Sequence, residues 1–239
     1  MIQTRVTINQ PCPFPPMYLF ARILSCKYSI ILSSAQFTRN SGRSFRHIEI
    51  MVSGEKFPLV IPIKHSGDRE LTIRDAQIDY SQRWVEKHLK TFQMNYSKTP
   101  YFKEIMPVIE EVYNLKPATL AAFSRHSMLL ASKYLGVTPQ YTLVDCSLME
   151  PLVDSPSKWM MELTKSVNGD VYVCGKSALI TYLHTEEFAK NNIQIDSCEF
   201  IEPFYTESHE ERNLSILDAL FRVGPKVKQY LGVNDGQVS

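Results

Sequence analysis

From Ser157 to Phe221 the chain alternates between helical and strand-like periodicity, and that alternation restricts the folds open to it. A helix is expected at Ser157–Ser166, a turn at Asn168–Gly169 and a strand at Val171–Val173. A helix at Ser177–Asn191, a strand at Gln194–Phe200 and a helix at Ser215–Phe221 follow. Strand and helix in alternation call for a sheet with parallel pairs and helices packed on it. The fold class expected is therefore α/β: a mixed, partly parallel sheet flanked by helices, with a helical middle segment.

The rest of the chain fits that frame. RVTIN (residues 5–9) reads as a first strand, Met17–Lys27 as an amphipathic helix and Tyr28–Ser33 as a buried strand. Arg46–Val52 and Phe57–Ile63 flank SGEK and read as a β-hairpin, with Pro58 and Pro62 restricting the second run to an edge or irregular strand. Ser81–Tyr96, with Ser81 as N-cap, Tyr101–Tyr113, kinked at Pro107, and Ala118–Leu135, closed by Gly136, are the helices of the middle. Residues 1–239 are read as one domain, with Glu150–Ser157 (EPLVDSPS) the weakest point and a frayed tail after Gly232.

The 26 basic and 25 acidic residues leave a net charge of +1, which does not suit long duplex nucleic acid. Arg39, Arg43 and Arg46 form the best local basic patch. Five cysteines (Cys12, Cys26, Cys146, Cys174 and Cys198) without CxxC spacing argue against a disulfide framework or a zinc ribbon. Neither a secretory leader nor a membrane-length apolar run is visible, so a cytoplasmic, reducing setting is expected. His47, His65, His88, His126, His184 and His209 lack the spacing of a metal site, and His88 is expected to pack or cap. No cofactor can be named.

The sharpest local pattern is GDVYVCGKSALITYL, Gly169–Leu183. Its GKS is not a P-loop, because Asp170 stands where the first glycine is needed. A helix starting near Ser177 with Lys176 beside it would favour an anion. Cys174 has two readings: a thiol with a lowered pKa at a helix start, or a small buried residue ending a strand. Asp218, on the apolar helix that follows SHEER (Ser208–Arg212), is either paired or functional.

In order, these pieces resemble the WbqC-like family of bacterial surface-polysaccharide (O-antigen) gene clusters. The resemblance rests on Gln10-Pro11-Cys12-Pro13-Phe14-Pro15-Pro16 with Tyr18-Leu19-Phe20, then Gln36-Phe37-Thr38-Arg39 and Phe45-Arg46-His47-Ile48. It continues through Trp84, His88, Tyr96 and Pro100-Tyr101-Phe102, then Tyr172, Gly175, Tyr182, Leu183 and Phe188. Pro203, Tyr205, Leu214, Ser215, Leu217, Asp218 and Gly224 close it, so it covers roughly residues 8–232. Cys174 stands where the family usually has serine, and His47 where asparagine is commoner. The prolines are then a rigid lead-in to the first helix, with Gln10 held at the corner.

The resemblance implies an acyl or aminoacyl (glycine-type) transferase acting on an amino sugar. Its substrate would be nucleotide- or lipid-linked, and its donor an activated acyl group, aminoacyl-tRNA included. In that reading Gln10 is a hydrogen-bond donor, Arg46 and Lys176 are anion contacts, and His47 or Asp218 is the base. Cys174 is a candidate for a covalent acyl intermediate, and Tyr96 and Tyr205 complete the substrate-binding set. The rivals are a non-catalytic glycan-precursor-binding protein, with Tyr18, Trp84 and Tyr205 lining a sugar cleft, and a hydrolase with Cys174 as nucleophile.

Overall fold

β1 (Arg5–Asn9) is the strand around which the sheet is laid down, buried along its centre as its β-branched sequence demands. The computed structural model describes residues 3–37, 45–64, 71–137, 142–146, 155–197 and 213–231. Arg39, Arg43, His65, Cys198, Tyr205, His209 and the tail from Gly232 lie outside the described residues. β1 pairs in parallel with β2 (Tyr28–Ile31) on one edge and with β6 (Val171–Cys174) on the other. β5 (Thr142–Asp145) adds beyond β2, and β7 (Gln194–Ser197) beyond β6. The result is a five-stranded, wholly parallel sheet in the order β5-β2-β1-β6-β7.

Helices cover this sheet. α1 (Met17–Leu24) joins β1 to β2, and α5 (Pro156–Ser166) precedes β6. The segment expected as one helix, Ser177–Asn191, is two: α6 (Lys176–Thr181) and α7 (Thr185–Lys190). The break is held in place by the Ser157 hydroxyl, which accepts the His184 N–H at 2.9 Å, and by burial of Leu183. Alternation along β6 distributes its side chains between two clusters. Val171 and Val173 pack with Cys26 just past α1, whereas Tyr172 and Cys174 join the main core, with Tyr172 stacked on Phe188 of α7 at 5.5 Å.

The antiparallel pairing lies in a separate two-stranded sheet of β3 (His47–Val52) and β4 (Glu55–Val60). Its turn is tighter than the expected SGEK loop. Ser53 and Gly54 both take positive φ (53° and 86°), the two-residue turn whose twist suits a hairpin, so Glu55 and Lys56 join the strand. Pro58 is tolerated because β4 has β3 as its only neighbour in this sheet.

The helical middle comprises α2 (Trp84–Tyr96), α3 (Phe102–Asn114) and α4 (Leu120–Leu135). Ser81 does not cap α2. Its N–H and hydroxyl both donate to Asp79, as does the Gln82 amide, so a local turn delays the helix to Trp84. Pro107 lies within α3, which continues to Asn114. α4 has Thr119 as N-cap, accepting from the Ala122 N–H at 3.3 Å, and left-handed Gly136 (φ 67°) as its end. Last come α8 (Ile216–Val223), capped by Ser215, and the short α9 (Val227–Tyr230). Phe221 of α8 stacks on Tyr96 at 4.4 Å and on Phe102 at 6.0 Å, tying α8 to α2 and α3. Among the described residues no helix is long and apolar enough to cross a membrane.

Candidate functional site

The strand order places the chain's change of direction between β1 and β6. From β1 the chain winds outward to β2 and β5, then resumes on the other side with β6 and β7. Connections leaving the carboxyl ends of β1 and β6 therefore diverge, and in open parallel sheets that divergence opens a ligand crevice. Asn9 and Gln10 stand at the end of β1, and Cys174 and Gly175 at the end of β6. Two of the expected site residues, Gln10 and Cys174, are thus brought to one edge of the sheet.

The proline-rich lead-in is fastened at its centre. The Phe14 N–H donates to the Ser127 hydroxyl of α4 at 2.9 Å, and the Phe14 carbonyl accepts from the Ser215 hydroxyl at 2.7 Å. Pro11, Pro13, Phe14 and Pro15 are buried. Half-buried Gln10 is therefore carried on a segment anchored to both α4 and the start of α8, not on a loose tail.

Arg22, the one charged side chain of α1, reaches the same edge. Its Nη2 donates to Asn9 Oδ1 at 2.6 Å, and Asn9 Nδ2 donates to Thr7 Oγ1 at 3.1 Å. A Cβ placed on Gly175 would stand 2.8 Å from Arg22 Nη1, so the guanidinium spans the gap between the ends of β1 and β6. Arg22 Nε is buried without a hydrogen-bond partner. A guanidinium presents five donors and no acceptor, so this crevice favours phosphate, carboxylate or a developing oxyanion. Sequence reasoning missed Arg22 and Asn9. The available signal was a single arginine in the otherwise uncharged helix that follows the proline-rich lead-in.

Cys174 does not have the lowered pKa expected of a helix-start thiolate. Burial pushes its thiol up, Asp196 adds to the rise, and Arg22 only partly opposes it. The thiol is 3% exposed and closes β6 as a packed side chain. Lys176 is exposed at the first position of the six-residue α6. Tyr172, beneath Cys174 on the same face, donates its hydroxyl to Tyr182.

His47 opens β3 with Nδ1 3.6 Å from Glu49 Oε1. Burial lowers its pKa, and Glu49 pulls the other way, so the ring is neutral at pH 7 and able to accept a proton. Glu49 also acts on Cys12, whose thiol burial pushes up to about 12. The stretch from Gln10 to Cys12 therefore runs from the sheet edge towards the His47–Glu49 pair.

Asp218 and Tyr96 belong elsewhere. The Tyr96 hydroxyl donates to Asp218 Oδ1 at 2.7 Å, and Arg222 Nε donates to both Asp218 oxygens at 3.2 and 3.1 Å. Both Tyr96 and Asp218 are fully buried, so they tie α2 to α8 and present no surface to a substrate. The expected substrate contact Tyr96 and the candidate base Asp218 thus both lie in one buried network. Arg46 lines a cavity with Trp84 and His88, to which Gln10, Cys174 and Asp218 do not contribute. That cavity therefore does not bring Gln10, Arg46, Cys174 and Asp218 together. Among the described residues no group of three or more His, Cys, Asp or Glu side chains is placed to hold a metal.

No curated protein and no solved structure gives a significant match to the chain. A family model does: the one described as the WbqC-like protein family matches residues 10–230, which span both the proline-rich lead-in and the closing helices. The chain belongs to the WbqC-like protein family.

Proposed function

We propose that the protein is an acyl or aminoacyl transferase that modifies the amine of a nucleotide- or lipid-linked sugar in bacterial surface-polysaccharide synthesis. The observation that carries this reading is the Arg22 guanidinium, held by Asn9 between the carboxyl ends of β1 and β6. It supplies the positive, donor-rich crevice that a phosphorylated sugar needs, with Gln10 and Lys176 at the same edge. In the transfer, the sugar nitrogen attacks the acyl carbon, a C–N bond forms, and the bond to the donor's leaving group breaks. His47, neutral and faced by Glu49, takes the proton released by the amine. A buried thiol with a raised pKa is a poor nucleophile, so this reading has direct transfer without a Cys174 acyl intermediate.

The test is incubation of the protein with nucleotide-linked amino sugars and activated glycyl or acetyl donors, with product masses as the readout. A product heavier by one acyl group, lost in Arg22→Met, supports the transferase. Sugar-nucleotide binding without product from any donor replaces it with the glycan-precursor-binding protein. That second reading is favoured by one observation: Asp218 and Cys174, two of the three expected catalytic groups, are buried in the packing.

A further inference from the structure

Arg22 uses its three guanidinium nitrogens unequally. Nη2 is committed to Asn9 Oδ1 at 2.6 Å, and Nε is buried with nothing to accept from it. Among the described residues Nη1 has no acceptor either, but it is not buried, so a ligand can reach it. The space beside it is kept open by Gly175. A Cβ on that residue would stand 2.8 Å from Arg22 Nη1 and 4.0 Å from Ser177 Oγ. Apart from the chain neighbours of Gly175, no other atom of the described residues comes within 4 Å of that point.

The corner so formed is open to solvent, because Gly175 is half-buried and Ser177 exposed. The Ser177 hydroxyl has no hydrogen-bond partner among the described residues, and it does not cap α6. One charged donor and one neutral donor therefore border the same small volume. Arginine grips a planar carboxylate with two parallel N–H groups. Here Nη2 is held by Asn9 and Nε is buried, so that two-pronged contact is closed to a ligand. The second donor comes instead from Ser177, on a different helix. Donors approaching from different directions suit a tetrahedral phosphoryl group, which offers three acceptor oxygens.

We propose that the Gly175 corner holds one phosphoryl group of the ligand, with Arg22 Nη1 and the Ser177 hydroxyl donating to different oxygens of it. This rests on the crevice proposed above as the ligand site, and adds to it the group that is held and the atoms that hold it. Ser177 becomes a binding residue, and Gly175 is glycine for room: its φ of −84° suits any residue, but a side chain there would fill the volume the phosphoryl group needs. A ligand whose only anion is a carboxylate, such as a free amino acid, is a poor fit to the same corner.

The experiment follows the Gly175 amide signal of the protein, labelled with ¹⁵N-glycine, during titration at constant ionic strength. Inorganic pyrophosphate, uridine diphosphate glucosamine and acetate are the probes. Gly54, in the hairpin turn of the other sheet, is the control, and Gly175→Ala and Gly54→Asn assign the two signals. The Gly175 signal is expected to move and saturate with both phosphorylated probes while Gly54 stays. Ser177→Ala should weaken both about tenfold, and Ser177→Thr, which keeps the hydroxyl, should restore them. Pyrophosphate binding at Gly175 without binding of the sugar nucleotide keeps the corner and overturns the sugar reading. Sugar-nucleotide binding that Arg22→Met weakens and Ser177→Ala leaves unchanged overturns the corner and keeps that reading. A Gly175 signal that neither phosphorylated probe moves, or tighter binding of acetate than of pyrophosphate, also overturns the corner.

Discussion

Arg22 and Gly175 share one small volume: the Arg22 Nη1 lies 2.8 Å from where a Gly175 Cβ would be. Gly175 has φ −84° and ψ 153°, so alanine is free to adopt its backbone and the side chain of Arg22 must yield instead. Gly175→Ala should cost about 1–2 kcal/mol of stability, the net value of the charge-assisted bond to Asn9. Sugar-nucleotide affinity should fall about tenfold in calorimetric titration. Unchanged affinity with Arg22 displaced would remove the crevice from the proposed mechanism.

A buried thiol with a raised pKa should react slowly. Alkylation of Cys174 by iodoacetamide, followed residue by residue by mass spectrometry, should still be accelerating as pH passes 9, the ordinary thiol value. Cys174→Ser should retain transferase activity within a few-fold. A rate that levels off below pH 7 would restore the thiolate nucleophile.

Asp218 carries fold stability in this structure. Asp218→Ala leaves the Tyr96 hydroxyl and the Arg222 guanidinium without their carboxylate and should cost about 3 kcal/mol in urea unfolding. Tyr96→Phe should cost about 1–2 kcal/mol, and the double variant less than the sum, because both act on one network. Additive losses would show that the two residues act independently.

The His88 ring should make the protein acid-sensitive. Burial lowers its pKa from 6.5 to about 4 in the folded protein, so above pH 6.5 the ring is neutral in both states. As pH falls below 6.5 the unfolded chain takes up a proton that the folded protein refuses, and stability declines until about pH 4. The shift corresponds to about 3 kcal/mol over that window. His88→Gln should flatten this part of the stability–pH curve, measured by urea unfolding across the same range. An equally steep decline in His88→Gln would assign the acid sensitivity to other groups.

What the sequence disclosed was mostly local. Gly136 marks the end of α4 because left-handed geometry is decided by neighbouring residues. The strand–helix alternation after Ser157 reports a parallel sheet because each strand must be covered by the helix beside it. The single helix expected at Ser177–Asn191 failed because its break depends on Ser157, on another helix. The site was less legible for the same reason. Asp218 on its apolar face read as either paired or functional, and its partner Tyr96 lies 122 residues away. Cys174 had two readings, an activated thiol or a buried strand end, and its pKa is governed first by burial, which only the assembled core creates.

Central β1 also has a history in time. Its partner β2 follows within one helix, but the register Arg5↔Val171 joins it to β6, made much later in synthesis. Such distant pairing slows folding, because a long loop must close before its contacts repay the lost entropy. A growing chain therefore leaves the ribosome with one edge of β1 unpaired and its apolar side chains uncovered until Val171–Cys174 emerges. During that interval the nascent protein offers an open strand to any other β-prone segment nearby, and a chaperone that shields the first half of the chain would raise its yield.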